Sequence, residues 1–439
     1  MMRIDFHDLG PAVKPMHGVG QPPFSGIDTS MMHYLKEAGM PFSRLHDVGG
    51  ALGGGMYVDI PNVFPDFDAD PEDPASYIFG FTDVLIKGLM DNGTEPFYRL
   101  GVTIENYHHI HSYRIFPPKD NLKWAKICEG IIRHYTEGWA DGFTYPIRYW
   151  EIWNEPDNSD LIENNPMWKG TPEQYYELYG TASKYLKARF PHLKIGGYGS
   201  CGFYAITGEF IPSAGFTNAR AEHFNIFFDN FLKYVKANDC PLDFFSWHSY
   251  DSIKNTGKFA RYAREQLDKY GFTETETTCN EWNCAPHLRG TAKHAAYTAA
   301  MLCAMQQMPL DSAMFYDARF GTSMYGGLFN PLTREPLAAY YAFVHFNKLY
   351  QLGRECAVIF DTASDAAAAA AVPYVLAASD GSTGAVLIAN PGDTPLPLDL
   401  CTDGTLASCC LSDNDHLCAA CGLPETIGPD TVLFLTYAL

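Results

Sequence analysis

Eight short apolar runs alternate with helical patterns between Lys14 and about Tyr350, and this alternation constrains the fold more than any other feature. Each run has the length of a strand, and the segments between the runs carry helical periodicity. Eight strand–helix units without a terminal cluster of strands predict an α/β fold, a (β/α)8 TIM barrel. The predicted strands are Met16–Gly20, Phe42–His46, Pro96–Gly101, Ile147–Asn154, Leu193–Gly197, Leu242–Trp247, Glu276–Asn280 and Ser312–Tyr316.

Several of the predicted helices have recognisable start and stop signals. Thr171 and Gln174 have the spacing of a capping box, and the helix that they open is predicted to stop before Pro191. Side chains of the N-cap type also precede three other helical patterns, at Asp28, Asp120 and Thr291.

Beyond about Leu352 the pattern changes to short apolar strands separated by turn residues, as in the runs 385–389 and 431–435. This pattern predicts an antiparallel β-sandwich. We therefore predict two domains, a barrel over residues 14–350 and a C-terminal β-sandwich over residues 351–439, with room for a strand from residues 1–13. Few aromatic residues stand in the turns of the second domain, so we expect it to brace the barrel rather than to bind sugar.

The charge balance excludes several classes of partner. The 439 residues contain 31 Lys and Arg against 51 Asp and Glu, a formal net charge of −20. Nucleic acids and anionic membranes need a basic surface, so we expect neither as a partner. The first 15 residues lack the apolar core of a signal peptide, which favours a cytoplasmic location. Secretion stays open if a leader precedes this sequence.

The chain has 12 cysteines, of which five stand between Cys401 and Cys421. Cys418 and Cys421 have the spacing of metal ligands, with Cys409 and Cys410 as candidate partners. The second pair lacks the usual spacing and the flanking residues are apolar. We therefore expect the cysteines to be small buried hydrophobic residues, and we expect no metal and no cofactor.

Two motifs place a glutamate directly after a predicted strand. Glu155 stands in a Trp-Asn-Glu-Pro sequence after the fourth strand, and Glu281 stands in an Asn-Glu-Trp sequence after the seventh. The two are 126 residues apart, which equals three strand–helix units of roughly 40 residues. Catalytic groups of barrel enzymes lie where the strands end, so the two carboxylates are predicted to face each other across the barrel mouth.

Two facing carboxylates can cleave a glycosidic bond. One protonates the leaving oxygen, while the other attacks the anomeric carbon or activates water. The amide of Asn154 is placed to hydrogen-bond the sugar hydroxyl next to the reacting carbon. The gap between the carboxylates decides between retention and inversion of configuration, and the sequence does not give that gap.

The stretch 149–157 (Tyr-Trp-Glu-Ile-Trp-Asn-Glu-Pro-Asp) resembles the acid/base strand of the retaining barrel glycosidases of clan A. Within that clan the chain most resembles glycoside hydrolase family 39, the β-xylosidase and α-L-iduronidase family. The resemblance implies a retaining mechanism with Glu155 as acid/base and Glu281 as nucleophile. The supporting stretches, spread over most of the barrel, are 44–46, 116–120 and 246–250.

Two segments depart from the family pattern. The family's seventh strand usually reads Thr-Glu-Trp-Gly, whereas residues 280–283 here read Asn-Glu-Trp-Asn. The segment 103–111 after the third strand is not a typical loop of the xylosidases. The mechanism is therefore carried over more firmly than the identity of the sugar.

The remaining candidate residues are predicted to bind substrate or to support the two carboxylates. The resemblance implies that His46 contacts the sugar next to the cleaved bond and that Tyr250, at the end of the sixth strand, hydrogen-bonds the nucleophile. The other candidates, taken from their positions at strand ends and in neighbouring loops, are Arg44, Glu105, His109, Trp168, His248 and Trp282.

The sequence thus predicts a retaining glycoside hydrolase that releases terminal sugars from neutral oligosaccharides or glycans, with β-D-xylosidase as the first expectation. The alternatives are another exo-glycosidase activity, such as an α-L-arabinofuranosidase or a disaccharide-releasing enzyme, and a non-catalytic carbohydrate-binding barrel. An iduronidase is disfavoured, because a uronate needs basic residues around its carboxylate. Members of the family are often homo-oligomers, and the sequence does not show whether this chain is one.

Overall fold

The first strand of the chain, β1 (Met2–Ala12), lies outside the barrel, and the next eight strands close it. The computed structural model describes residues 1–46, 58–102, 114–211, 216–320, 325–360 and 372–439. All neighbouring barrel strands are parallel, so each of the eight predicted strands is confirmed. The barrel strands are β2 (Gly18–Gly20), β3 (Phe42–Leu45), β4 (Glu95–Leu100), β5 (Tyr149–Ile152), β6 (Lys194–Ser200), β7 (Phe244–Ser249), β8 (Glu276–Trp282) and β9 (Ser312–Tyr316).

Helices follow the barrel strands and cover their outer faces. The described residues form α1 (His33–Glu37), α2 (Ile60–Val63), α3 (Gly80–Asp91), α4 (Asn121–Thr136), α5 (Pro172–Arg189), α6 (Asn218–Ala237), α7 (Ile253–Tyr270), α8 (Ala292–Gln306) and α9 (Ala338–Leu352). Single turns of 3-10 helix lie at Ser30–Met32, Pro74–Ser76, Ile162–Asn164, Tyr204–Thr207 and Pro286–Leu288.

The predicted capping box of α5 is confirmed. The Thr171 hydroxyl accepts a hydrogen bond from the Gln174 amide at 3.3 Å, and the Gln174 side chain accepts one from the Thr171 amide at 2.9 Å. The side chains of Asp120 and Thr291 likewise cap α4 and α8. Each cap satisfies backbone N–H groups that the first turn of a helix leaves without partners.

The interior of the barrel changes from apolar to polar along its axis. At the amino ends of the strands, Phe42, Phe97, Phe244 and Met314 pack together as a plug. Side chains two residues further along a strand point to the same face. That alternation puts Arg44 above Phe42 and Ser246 above Phe244, and both polar side chains are buried. The polar layer therefore rests on an apolar floor.

A second, mostly antiparallel β-domain follows the barrel, and the predicted fold class is confirmed. Eight strands form one sheet in the order β14-β1-β10-β11-β12-β18-β15-β16, in which β1 and β14 are parallel. A two-stranded sheet, β13-β17, covers part of it. The strands are β10 (Arg354–Phe360), β11 (Tyr374–Ser379), β12 (Thr383–Asn390), β13 (Leu396–Pro397), β14 (Leu400–Thr402), β15 (Thr405–Ser412), β16 (Ala419–Ala420), β17 (Thr426–Ile427) and β18 (Thr431–Ala438).

Both faces of the large sheet bury apolar side chains. Leu387 and Phe434 belong to the same apolar cluster as the barrel and its helices, whereas Val386 and Leu433 belong to a separate cluster on the other face. Helices α8 and α9 provide the surface on which the sheet packs. Among the described residues, no helix combines the length and apolar character needed to cross a lipid bilayer.

Replacing Thr171 by Ala is expected to lower the melting temperature by about 2 °C or less, because the lost cap contributes about 1 kcal/mol in a chain of this size. Thr171→Ser keeps the accepting hydroxyl and should melt like the parent protein. Differential scanning calorimetry of the three proteins measures this, and an equal loss in both variants would contradict the role of the cap.

Candidate active site

The two glutamates lie at the carboxyl end of the barrel, on opposite sides of its mouth. Glu281 is the second-to-last residue of β8, and Glu155 follows the end of β5 by three residues. His248 of β7 stands between them, so that one carboxylate oxygen of each glutamate and one ring nitrogen of His248 all lie within 4.8 Å of one another. The predicted pair of facing carboxylates is therefore present in the structure.

Arg44 is the buried cation beneath this pair. Its Nε donates to Glu151 Oε2 at 2.7 Å, and one terminal nitrogen donates to Glu281 Oε1 at 2.6 Å. The other terminal nitrogen donates to Asn154 Oδ1 at 2.5 Å. The side chains of Arg44 and Glu151 are fully buried. The planar guanidinium thus fixes the positions of three side chains from two other strands and their ends.

Glu151 is a functional side chain that no motif singled out. Its Oε1 accepts hydrogen bonds from Ser246 Oγ at 2.6 Å and from Asn280 Nδ2 at 2.7 Å. A buried carboxylate is stable only when paired and hydrogen-bonded, and here both oxygens are engaged. The available signal was a glutamate within an otherwise apolar strand, four residues before Glu155.

His248 and Tyr250 contact the carboxylate oxygens of Glu155 and Glu281. His248 Nδ1 lies 2.7 Å from Glu155 Oε1 and 3.6 Å from Glu281 Oε2. The Tyr250 hydroxyl donates to Glu281 Oε2 at 2.8 Å. Because Arg44 holds Oε1, both oxygens of Glu281 have a strong donor. The structure places both residues beside the carboxylates, as their positions at the end of the sixth barrel strand indicated.

Asn158 supports Glu155 from the following loop, and sequence reasoning missed it. Its Nδ2 donates to Glu155 Oε2 at 2.6 Å, while its Oδ1 accepts from Arg220 of α6 at 2.7 Å. Arg220 also donates to the Asn158 carbonyl oxygen at 2.6 Å. The side chain that orients Glu155 is thereby anchored to a helix.

His46 and Asn154 form the part of the site that faces a bound sugar in the predicted arrangement. Asn154 Nδ2 lies 3.2 Å from His46 Nε2. Because Arg44 occupies the amide oxygen, the amide NH2 of Asn154 points toward His46. The backbone oxygen of His46 accepts a hydrogen bond from Arg99 at 2.6 Å, which fixes this end of β3.

The backbone between β5 and the following loop adopts conformations that residues other than glycine rarely take. Glu155 has φ of 45° and Trp153 has φ of 76°, both in the left-handed region. Gly199, at φ of 64°, passes so close that a Cβ there would lie 2.9 Å from Arg44. Such residues persist only where the surroundings over-determine them, and they cluster at functional sites. The corner turns the Glu155 side chain back over the barrel.

The ionisation of the three central groups is coupled. Burial raises the pKa of Glu155, but the hydrogen bond and charge of His248 outweigh it, and the net pKa is lowered. Burial raises the pKa of Glu281 against the charges of His248 and Arg44. Burial lowers the pKa of His248, yet the charges of Glu281 and Glu155 raise it overall. These shifts favour the ionised pair, a charged His248 imidazole beside a charged Glu155 carboxylate.

The family model of glycosyl hydrolases family 39 matches residues 58–307, which include both glutamates. The chain belongs to glycosyl hydrolases family 39. The resemblance drawn from the motifs is confirmed.

Two curated relatives are β-xylosidases of limited identity. The chain is 25% identical over 225 residues to a β-xylosidase of Geobacillus stearothermophilus, a match that covers 49% of this chain and 39% of the relative. It is 26% identical over 251 residues to one from Caldicellulosiruptor saccharolyticus, which covers 52% of this chain and 45% of the relative. The match thus spans less than half the length of either relative.

Solved structures show the same fold. A glucosidase from Croceicoccus marinus superimposes with a TM-score of 0.77 at 22% identity, over 100% of this chain and 98% of that chain. A monomeric β-xylosidase from Caulobacter crescentus gives a TM-score of 0.68 at 16% identity, over 100% of this chain and 99% of that chain. Similarity at these identities concerns the fold.

Two tryptophans predicted to line the site of this family 39 protein lie elsewhere, and those predictions are wrong. Trp282 is fully buried, with Phe315 at 5.2 Å and Phe343 of α9 at 6.5 Å between ring centroids. Strand alternation turns it outward where Glu281 turns inward. Trp168 is likewise buried, 5.1 Å from Trp153, and its indole N–H donates to the Thr171 carbonyl oxygen at 2.9 Å.

Glu105 and His109, the two candidates after the third barrel strand, lie outside the described residues. Among the residues that the structure describes, two groups of side chains have the proximity of metal ligands. One is Glu155, His248 and Glu281, whose atoms are already engaged with one another and with neighbouring donors. The other is His345, Cys410 and Cys418, at the contact between α9 and the second domain.

Replacing Arg44 by Ala is expected to destabilise the protein by about 3–5 kcal/mol, because two buried carboxylates lose their shared counter-ion. Arg148→Ala is the control, since Arg148 pairs with Glu95 but its side chain is 56% exposed, and its loss should cost less than about 1 kcal/mol. Thermal denaturation at pH 7 compares the two variants. Similar small shifts in both would contradict the role assigned to Arg44.

Proposed function

We propose that this chain is a retaining glycoside hydrolase that releases terminal sugars from neutral oligosaccharides or glycans by double displacement. The supporting observation is that an oxygen of Glu155 and an oxygen of Glu281 lie within 4.8 Å of each other. Retaining glycosidases hold their carboxyl groups ~5–5.5 Å apart, whereas inverting ones leave ~6.5–9.5 Å for a water molecule. The gap here favours direct attack by a carboxylate.

In the first step Glu281 attacks the anomeric carbon while the bond to the leaving oxygen breaks. Arg44 and Tyr250 hold the two oxygens of Glu281 and orient it for attack. Glu155 gives its proton to the leaving oxygen, and the sugar is left joined to Glu281 as an ester. The NH2 group of Asn154 is placed to hydrogen-bond the neighbouring sugar hydroxyl, an interaction that strengthens in the transition state.

In the second step Glu155 acts as a base. It takes a proton from water, the water oxygen attacks the anomeric carbon, and the bond to Glu281 breaks. The proton then passes from Glu155 back to His248 across the 2.7 Å contact, so all three groups return to their starting states. Esterification removes the charge of Glu281, yet Arg44 keeps a full partner in Glu151 at 2.7 Å. The guanidinium therefore stays compensated throughout the cycle.

His248 supplies the proton that Glu155 needs at the start. At 2.7 Å, the proton on His248 Nδ1 can move to Glu155 Oε1 when a leaving oxygen approaches. The imidazolium that lowers the pKa of Glu155 is thus also its proton source. This makes His248 a positioning and proton-holding residue behind the acid.

For the sugar we propose a neutral pentose, with β-D-xylosidase as the activity. The names of the two curated relatives support this assignment. Two basic side chains that the structure describes near the site are engaged with carboxylates: Arg44 holds two of them, and Arg319 pairs with Asp317 at 2.8 Å. Such pairing does not favour a uronate. A β-glucoside is the second candidate, because the structural neighbour with the TM-score of 0.77 is named a glucosidase.

A non-catalytic carbohydrate-binding barrel is the competing interpretation. A binding protein has no need for two carboxylates braced on one guanidinium, since such a buried arrangement carries a desolvation cost without improving affinity for a neutral sugar. The retention of both glutamates, each with oriented donors on its oxygens, therefore supports hydrolysis.

Hydrolysis of nitrophenyl glycosides tests the proposal, with β-xyloside, β-glucoside, β-galactoside and α-arabinofuranoside as substrates. We expect the β-xyloside to be cleaved fastest and its product to be released first as the β-anomer, which proton NMR detects. Glu281→Ala should lose at least about 10³-fold in rate. Glu155→Ala should lose about 10²–10⁴-fold with leaving groups that need a proton.

The matched control is Glu276→Gln, at the opposite end of the same strand, where the carboxylate bonds Tyr149 at 2.9 Å. It should retain the parent rate. Release of the α-anomer first would contradict retention. If the parent protein and Glu281→Ala bind xylo-oligosaccharides equally and neither cleaves any substrate, the binding interpretation holds instead.

The pH profile of His248→Asn provides a separate test. The pKa of His248 is raised above its ordinary ~6.5, so the alkaline limb of kcat/KM should lie above about pH 6.5 in the parent protein. In the variant, which lacks the imidazole, only Glu155 can carry the proton that is given to the leaving oxygen. A carboxyl group loses its proton at lower pH than this imidazolium, so the limb should move to lower pH.

A dinitrophenyl xyloside serves as internal control, because its leaving group needs no proton. Its kcat/KM should therefore lack this alkaline limb, in the parent protein and in His248→Asn alike. An unchanged limb for the ordinary nitrophenyl substrate, or an equal shift for both substrates, would contradict the proton-holding role of His248.

A further inference from the structure

Four of the cysteines in the second domain form two close pairs across the hairpin of β15 and β16. Cys409 and Cys421 have their sulfur atoms 3.2 Å apart, and Cys410 and Cys418 have theirs 3.5 Å apart. Adjacent residues of a strand point to opposite faces, so the two pairs lie on opposite sides of the sheet. The spacing of Cys418 and Cys421 in the sequence therefore does not bring these two residues together.

The pair on the barrel side has a third partner in His345 of α9. Its Nε2 lies 3.6 Å from the sulfur of Cys410 and 3.8 Å from the sulfur of Cys418. Zinc–sulfur bonds of ~2.3 Å and zinc–nitrogen bonds of ~2.0–2.1 Å in a tetrahedron require sulfur–sulfur and sulfur–nitrogen distances of about 3.8 and 3.6 Å. The three atoms already form such a triangle.

Local structure holds Cys418 and His345 in place. Cys418 has φ of 46°, a left-handed conformation that cysteine rarely adopts, and its amide donates to Ser412 Oγ at 2.9 Å. The ring of His345 is buried and stacks on Phe434, with centroids 4.5 Å apart and planes 7° from parallel. A strained residue maintained beside an oriented imidazole is what a built ligand site requires.

The charges fit a divalent cation that binds thiolates. Zinc binds cysteine as the thiolate, so binding would release the thiol protons of Cys410 and Cys418, and the two thiolates would neutralise the ion. Lys348, whose charge also acts on both thiols, would oppose the cation.

We propose that His345, Cys410 and Cys418 bind one zinc ion, with water in the fourth position. The described residues place no further His, Cys, Asp or Glu in this group, and both cysteines are partly accessible to solvent. The ligands come from α9, β15 and the loop before β16, so the ion ties the hairpin to the last helix of the barrel. Its role is to stabilise the contact between the domains, independent of sugar hydrolysis.

His345 Nδ1 has no hydrogen-bond partner among the described residues. Zinc-bound histidines ordinarily donate this N–H to a carbonyl or carboxylate, which strengthens binding. The site should therefore bind zinc more weakly than a closed structural site of four side chains, and it should lose the metal to a strong chelator.

The test is the zinc content of the full chain, purified with reducing agent, loaded with zinc sulfate and desalted. We expect one zinc per chain by plasma mass spectrometry, and a thiolate-to-metal charge-transfer band when cobalt replaces zinc. Cys418→Ser removes a direct ligand and should weaken binding by more than about 100-fold, because the loss of a partner behind a ligand already costs about 10–100-fold. Cys421→Ser is the matched control and should bind like the parent protein.

Alkylation of the parent protein gives a second measurement that needs no variant. Bound zinc should protect Cys410 and Cys418, and peptide mass spectrometry should show both becoming labelled after chelation. Zinc-free parent protein after loading would overturn the proposal. So would an equal loss of zinc in Cys421→Ser, or a disulfide linking Cys410 and Cys418 under the reducing conditions of purification.

Discussion

The buried guanidinium of Arg44 is the interaction on which the rest of the site depends. A single charge of this kind is unfavourable in an apolar interior, so it needs carboxylates, and each of those needs further donors. Glu151 is the permanent partner of Arg44, whereas Glu281 is a partner whose charge is lost when it forms the ester in the proposed reaction. The apolar floor below it excludes water, which strengthens all of these contacts. One residue of β3 thereby determines where the ends of β5 and β8 carry their functional groups.

The barrel was predictable because its information is local. Apolar runs such as Phe42–His46 carry their own strand signal, and the rule that barrel catalysis occurs at strand ends selects Glu155 and Glu281 from many acidic residues. The resemblance to the family implied Tyr250, and His248 was added because it lies two positions earlier on the same strand face.

The sequence did not predict the orientations of several side chains, because tertiary packing determines them. Trp282 is next to Glu281 in the chain but points outward and packs against α9. Because α9 is far from Trp282 in the sequence, this contact has no local sequence signal. Glu151 becomes recognisable as part of the site only when Arg44 is known to reach it from another strand. The left-handed conformation of Cys418 separates it from Cys421 and joins it to His345, and no spacing rule anticipates this.

The position of β1 affects how the chain is made. Of the strands in this sheet, β1 is synthesised first, yet in the finished protein it lies between β10 and β14, with Met2 paired to Phe360 and to Leu400. At synthesis rates of ~5–20 residues per second, it waits roughly 20–70 s for those partners. During that interval its backbone groups form an unpaired edge that can recruit other strands. The sheet is therefore completed long after its first strand is made, and β1 is the part of it most in need of chaperone protection during translation.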